Sequence, residues 1–491
     1  MLVAGVDSST QSCKVVLCDP DDGTVVGRGS APHPDGTEVD PAAWWQALQA
    51  AGDGLLDRAA AIAVAGQQHG MVALDAAGEV VRPALLWNDL RSADASAELI
   101  AERGGPGWWA SHVGSVPTPS FTVTKLRWLA RNEPDNAART RAVLLPHDWL
   151  TARLRGAGKN SAGKNSAGKN SAGQDQAMPV PGSGALVTDR GDASGTGYYS
   201  PAENRWRPGV AAAAIGHEIE LPRVARPAEV VGQTPWGAAL AAGTGDNMGA
   251  ALGLGLRAGE LAVSIGTSGT AFAVSPVPAA DPSGAVCGFA DATGRFLPLV
   301  CTINAGLVLA ATGTLLGTDL AGLDRLALSA PPGAGGLTLL PYLDGERTPD
   351  RPAATGVLCG LTTRNATQAN LARAAVEAVL ASLADAADLM TGCGVSFNRV
   401  LLTGGAAKSP AIRELAPGIF GRDVEVPEPD EYVALGAARQ AAWALTGGDA
   451  PPSWPRRTAA VYSGAPEHEI RARHAALRDD TAAWNERSRD R

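Results

Sequence analysis

With 491 residues, the chain is longer than one hydrophobic core sustains, so two lobes are expected. It is 45% hydrophobic and 19% charged with a formal charge of −9, which excludes wholesale disorder, a collagen-like or disulfide-dense scaffold, and a surface built to coat nucleic acid. An anionic ligand stays open, because backbone amides and a metal ion can hold one on an acidic protein.

The six cysteines, at 13, 18, 287, 301, 359 and 393, form no CxxC, and the seven histidines show no HxxxH spacing. Free thiols in a reducing cytoplasm are expected, with no structural zinc. The opening MLVAGVDSST carries no basic n-region and does not read as a signal peptide. Leu2–Val6, Lys14–Asp19 and Thr24–Gly29 read as a three-strand meander, with DSSTQS as its first turn. Asp40 followed by Pro41 predicts a helix N-cap with proline at the first helical position. Ala61–Ala65 predicts a short buried strand running into GQQHG (66–70), WNDLR (87–91) stands at another strand end, and Thr124–Arg131 predicts a helix.

Three tandem GKNSA copies begin at 158, 163 and 168, within a polar run taken as a flexible insertion over 158–185. The repeat imitates a phosphate loop, GxxxxGK, up to its last position, where Asn165 and Asn170 replace the hydroxyl that would bind magnesium. No strand feeds it, and the chain contains no GxGxxG.

The second half restarts the first. Glu260–Gly266, the TSGT turn and Ala271–Ser275 repeat the strand, small-residue turn, strand arrangement, which predicts an internal duplication with a boundary near 235. The uncharged stretch Phe296–Thr318 is read as a buried core helix with a flanking loop and not as a membrane span. Val400–Leu402 predicts a strand before the glycine turn of LLTGGAAKSP, and 451–491 is taken as a helical tail.

Several motifs carry two readings. The small-residue turns at Ser8–Thr10 and Thr267–Ser268 are ordinary hairpin turns or concave phosphate-binding nests. Asp7 closes an Asx-turn or holds magnesium beside a phosphate. Asp246, in GTGDNMG, caps a helix or serves as a general base toward a substrate hydroxyl. His69 and Trp87 fill a core or help to line a sugar site, and the glycines of LLTGGAAKSP suit a strand-to-helix turn or the close approach of a flat base.

Together the motifs GVDSSTQSCK, GQQHG, WNDLR, SFTVTKLRWL, TDRGDASGTG, GTGDNMG, SIGTSGTAF, PYLDGERTP, LLTGGAAKSP and EYVALGAA resemble the FGGY family of carbohydrate kinases, in family order from residue 4 to about 440. Among its members the xylulokinases are the nearest match. The resemblance implies an α/β, two-lobed actin-like (ribonuclease H-type) ATPase fold with an interlobe cleft. The lobes would span 1–235 and 236–450. It implies phosphoryl transfer from ATP with Mg2+ to D-xylulose, a small-molecule sugar, with no nucleic-acid or membrane partner and a homodimer left open. By the same resemblance Asp246 is the base and Asp7 the acid near the metal. Gln68, His69, Trp87, Asp89, Asp246 and Asn247 hold the ketose. Thr10, Gly266, Thr267, Gly306, Gly404, Gly405, Ala406 and Ser409 line the nucleotide. The chain departs from the pattern at Gln68, where xylulokinases usually carry Met, and this keeps another ketose, polyol or sugar acid open as acceptor. A non-catalytic actin-like ATP switch is the alternative from a different class.

Overall fold

The computed structural model describes residues 1–156 and 180–484, so the GKNSA copies lie outside the described residues. The chain divides into two compact units. The first comprises 1–255, 276–297 and 430–456, and the second 256–275, 298–429 and 457–491.

In the first unit, strands β1 (Leu2–Ser8), β2 (Ser12–Cys18), β3 (Val25–Pro32), β4 (Ala59–Gly66), β5 (Val230–Gln233), β6 (Ala239–Ala241) and β7 (Thr244–Gly245) form one sheet. Its order is β5-β6-β4-β1-β2-β3, with β7 also pairing to β4. The meander β1–β2–β3 is antiparallel, whereas β4 joins β1 in parallel. The expected turn is therefore real, but the strands run further, leaving only Ser9–Gln11 between β1 and β2.

β1 is buried along nearly its whole length, because it lies centrally and both of its faces are covered. Alternation then sorts its side chains. Ala4 and Val6 join Ile62, Val64 and Trp44 on one face, while Val3 joins Ala61, Ala63 and Ala65 against the alanines of the Tyr432–Thr446 helix on the other. That helix comes close enough that a Cβ on Gly5 would lie 1.9 Å from the Ala434 carbonyl oxygen. The expected cap is present: Asp40 accepts from the Ala42 amide at 2.9 Å, and the helix runs Pro41–Gly52.

The second unit repeats this plan. Strands β8 (Gly259–Ile265), β9 (Gly269–Ala273), β10 (Phe296–Thr302), β11 (Phe397–Thr403), β12 (Val424–Pro427) and β13 (Thr458–Tyr462) lie in the order β10-β9-β8-β11-β12-β13. β8, β9 and β10 are antiparallel neighbours, and β11 joins β8 in parallel. This matches β3-β2-β1-β4 in order and direction, so the duplication expected from two similar hairpins extends to the sheets around them.

Three expectations differ from the structure. The unit boundary lies at 255, twenty residues past the expected one, because β6 and β7 add to the first sheet through parallel pairing with β4. Residues 296–318 hold a strand, β10, and then the helix Gly306–Leu316, so the apolar run is not a single helix with a loop. Among the described residues no single helix is long and apolar enough to cross a membrane. The segment from 451 begins with β13, which pairs antiparallel with β12, and becomes helical only at His468–Asp480.

Candidate active site

At the C-terminal end of β1, Asp7 is buried and accepts a hydrogen bond from the Ser9 hydroxyl. Burial pushes its carboxyl up to about 6, although Ser9 and the Lys14 cation pull the other way. Lys14 stands opposite Asp7 in the β1–β2 register and pairs with Glu431 at 2.6 Å. The sequence reading passed over Lys14, although it is one of only three lysines outside the GKNSA repeat. Across the turn, the Thr10 hydroxyl accepts from the Trp87 indole N–H at 2.8 Å, so WNDLR reaches the first small-residue turn.

Asp89 is buried, and both of its oxygens are engaged. Oδ2 accepts from the Thr37 hydroxyl at 2.7 Å, and Oδ1 from the Arg91 amide and guanidinium at 3.0 and 2.9 Å. Burial raises this carboxyl, but those partners outweigh it and hold it below the ordinary range. Asp89 thus ties its own loop together.

GQQHG follows β4. Gln67 is fully buried with neither amide atom partnered, an expensive arrangement of the kind found at binding sites, and no local pattern distinguishes it from Gln68. His69 adopts a left-handed backbone with φ of 68°, which a non-glycine residue holds only when its surroundings force it. Those surroundings are explicit. Its Nδ1–H donates to the Gly195 carbonyl at 2.6 Å, its ring stacks on Phe121 at 4.7 Å, and its own carbonyl accepts from the Thr122 hydroxyl at 3.1 Å. The Phe121 loop is anchored by Lys125, a buried ammonium that donates to the Ser120 and Pro119 carbonyls and that burial pulls down to about 7.

Asp246 opens the helix Asp246–Gly253 directly after β7. Gly245 occupies the cap position, so Asp246 is not the N-cap. Its Oδ1 accepts from the Asn247 amide at 2.8 Å and the Asn247 side-chain nitrogen at 3.0 Å. No other described residue bonds Oδ2, although the Asp246 backbone amide also donates to the carboxylate. Asn247 also donates to Gln68 Oε1 at 2.9 Å, which joins the two motifs. Burial is the largest reason the Asp246 carboxyl rises to about 7, and the nearby charges of Asp7 and Asp192 push it further in the same direction.

Asp192 belongs to a buried cluster supplied by TDRGDASGTG. His147 Nδ1 lies 2.7 Å from Asp192 Oδ2, and its Nε2 lies 3.0 Å from Asp148. Burial pulls the His147 imidazole down, but Asp148, Asp192 and Asp189 outweigh it and hold it at about 9. Asp189 accepts from the Thr244 hydroxyl at 2.9 Å, two residues before Asp246, so the cluster braces β7 from beneath.

In the second unit the Gly266–Ser268 turn lies between β8 and β9. Gly266 and Thr267 offer their carbonyls to the amides of Gly306 and Leu307 at 2.8 and 3.3 Å. The Gly306–Leu316 helix thereby starts on the turn, and a Cβ on Gly306 would sit 2.4 Å from the Gly266 oxygen. Gly404 has φ of +86°, and any Cβ there would be 2.6 Å from the Ile265 oxygen, so β11 can leave the sheet only through glycine. Around Gly405, by contrast, nothing lies within 4 Å of a would-be Cβ. Ala406 follows in the same one-turn 3-10 helix, Gly405–Lys408. Ser409 caps the Pro410–Phe420 helix through the Ile412 amide at 3.1 Å and donates to Asp324 at 2.5 Å. Gly266, Thr267, Gly306 and Gly404 therefore converge at one end of the second sheet, and Ser409 is engaged in capping.

Comparison with known proteins follows the same division. The N-terminal domain model of the FGGY family of carbohydrate kinases matches residues 2–255, and the C-terminal domain model matches residues 261–445. A protein named xylulose kinase from Streptomyces coelicolor is 46% identical over 466 residues, covering 91% of this chain and 89% of that protein. One of the same name from Streptomyces rubiginosus is 45% identical over 469 residues, with 91% and 89% covered. The crystal structure of xylulose kinase from Bifidobacterium adolescentis superposes with a TM-score of 0.88 at 45% identity, over 97% of this chain and 99% of that one.

Proposed function

The chain belongs to the FGGY family of carbohydrate kinases, and on that premise we propose that it phosphorylates D-xylulose from ATP, with Asp246 as the general base. The observation that carries the base assignment is the state of Asp246. A carboxylate raised to about 7, with one oxygen fixed by Asn247 and the other bonded by no other described residue, is matched to taking a hydroxyl proton near neutral pH. Relatives named xylulose kinase, similar over nine-tenths of the chain, support the substrate.

In this reading Oδ2 of Asp246 receives the proton from a terminal hydroxyl of the ketose as that oxygen attacks the γ-phosphorus, and ADP leaves on the far side. His69, Asn247 and Gln68 form the polar wall that faces the sugar. Trp87 holds Thr10 in the first turn, next to the phosphates, with Lys14 as the nearby cation. Gly266, Thr267, Gly306 and Gly404–Ala406 line the nucleotide. Asp7 fits a magnesium site: it is a buried hard-oxygen donor whose carboxyl burial raises to about 6, and Mg2+ held there with ATP would supply charge neutralisation on the phosphoryl oxygens.

Asp246→Asn keeps ATP affinity and loses turnover by at least about a thousandfold, the scale of removing an essential proton acceptor together with its charge. Sugar-dependent ADP release above about a tenth of the wild-type rate would take the base role away from Asp246. A second acceptor class is favoured by one feature only: Gln68 adds an amide where the related xylulokinase pattern carries Met.

A further inference from the structure

Gln68 is 4% exposed, its Oε1 accepts from Asn247 Nδ2 at 2.9 Å, and its Nε2 is buried without a partner. The same Asn247 nitrogen donates to Asp246 Oδ1 at 3.0 Å, beside the Asn247 backbone N–H at 2.8 Å. This chain of bonds has only one sense. An ionised carboxylate only accepts, so the Asn247 edge facing Asp246 is nitrogen, and the Gln68 edge facing that nitrogen must be oxygen. The Gln68 amide nitrogen is thereby turned away from Asn247. Gly245 makes room for the arrangement, since a Cβ there would fall 2.8 Å from Gln68 Cγ.

We propose that Gln68 is a positioning residue for Asp246: by holding Asn247 it fixes the carboxylate so that Oδ1 stays bonded and Oδ2 is left for the acceptor hydroxyl. The proposal rests on the reading of Asp246 as base. A backbone N–H alone leaves the carboxylate free to swing about χ2, whereas a second donor, itself pinned from the far side by Gln68, removes that freedom. The arrangement also defines what Gln68 offers a sugar. Its oxygen is committed, so the remaining contact is an N–H, which suits an acceptor such as the ketose carbonyl.

The test is the pH dependence of kcat and KM for wild type, Gln68→Met, Gln68→Glu, Asn247→Ala and the Met/Ala double variant, with D-xylulose and MgATP. Gln68→Met lowers kcat about tenfold, the scale of one lost hydrogen bond in a charged network. Gln68→Glu keeps an oxygen toward Asn247 and brings the alkaline plateau back to within about threefold of wild type. Its added negative charge disfavours ionisation of Asp246, so the acid limb moves to higher pH. The Met and Ala losses do not add, because both break the same relay, and the double variant stays within about threefold of the slower single variant. Wild-type kcat in Gln68→Met, a Glu variant as slow as Met at alkaline pH, or additive losses would each overturn the proposal. If the Met variant does not fold, the nearly isosteric Glu variant decides through its plateau and acid limb. Failure of the base reading shows separately, as turnover by Asp246→Asn.

Discussion

Asp246 is held in a state that costs stability and suits the base role proposed for it. Its carboxyl rises from an ordinary 3.8 to about 7 because burial and the charges of Asp7 and Asp192 disfavour ionisation. In the proposed role Asp246 must be ionised to accept a proton, so kcat is expected to fall as pH drops through about 7, as one acid limb of unit slope. A kcat profile flat down to pH 5 would show that the carboxyl is not raised in the working complex. The stability consequence has a definite sign. A carboxyl whose folded pKa lies above its unfolded value is protonated without penalty below about 4 and destabilises the fold increasingly as pH rises toward 7. Asp246→Asn therefore melts several degrees above wild type at pH 8, with the difference vanishing near pH 4. Thermal unfolding at the two pH values measures it, and equal Tm values at pH 8 would contradict the account.

At the scale of elements, Asp246 is placed by packing between two helices. Gly249 and Gly253 on the helix Asp246–Gly253 meet Gly436 on Tyr432–Thr446 so closely that a Cβ on Gly436 would lie 1.8 Å from the Gly249 oxygen. No side-chain rearrangement relieves a clash with backbone. Gly436→Ala is expected to cost about 3 kcal/mol, the upper end of the range for overpacked cores, and to lower kcat by displacing the helix that carries the proposed base. Chemical denaturation and kcat check it together, and a variant of wild-type stability and rate would show that the helices tolerate separation.

Elements also show what was legible in the sequence. The two hairpins, the Asp40 cap and the strand feeding GQQHG could be read because each depends on residues adjacent in the chain. Pairing of β6 and β7 with β4 depends on contacts such as Leu240 with Ile62 and Thr244 with Ala65, which no local pattern encodes, and the unit boundary was therefore placed too early. β13 was hidden because five residues between proline-rich and charged segments gain strand character only from the β12 edge. Within the site, the residue types of Asp7, His69 and Asp246 suggested chemistry on sight. The bond between Gln68 and Asn247 joins residues 179 positions apart and could be seen only in the fold.

At the scale of the whole molecule, both units use the same sheet order, and in each the candidate residues follow the ends of the central strands. Asp7 and Gln68 end or follow β1 and β4, while Gly266 and Gly404 follow β8 and β11. Duplication thus supplied two equivalent strand-end positions that have diverged, the first toward carboxylates, amides and an imidazole, the second toward glycines and a threonine. The first set suits a polyhydroxylated acceptor and a proton transfer, and the second suits close backbone approach to a nucleotide. The central claim is the proposed phosphorylation of D-xylulose from ATP. It is tested most directly by ADP release from MgATP with D-xylulose, set beside ribulose, glycerol, gluconate and no sugar. The account predicts strong stimulation by D-xylulose above every other acceptor. Equal or greater stimulation by another sugar would contradict the substrate assignment, and flat rates across the panel would contradict the kinase reading itself.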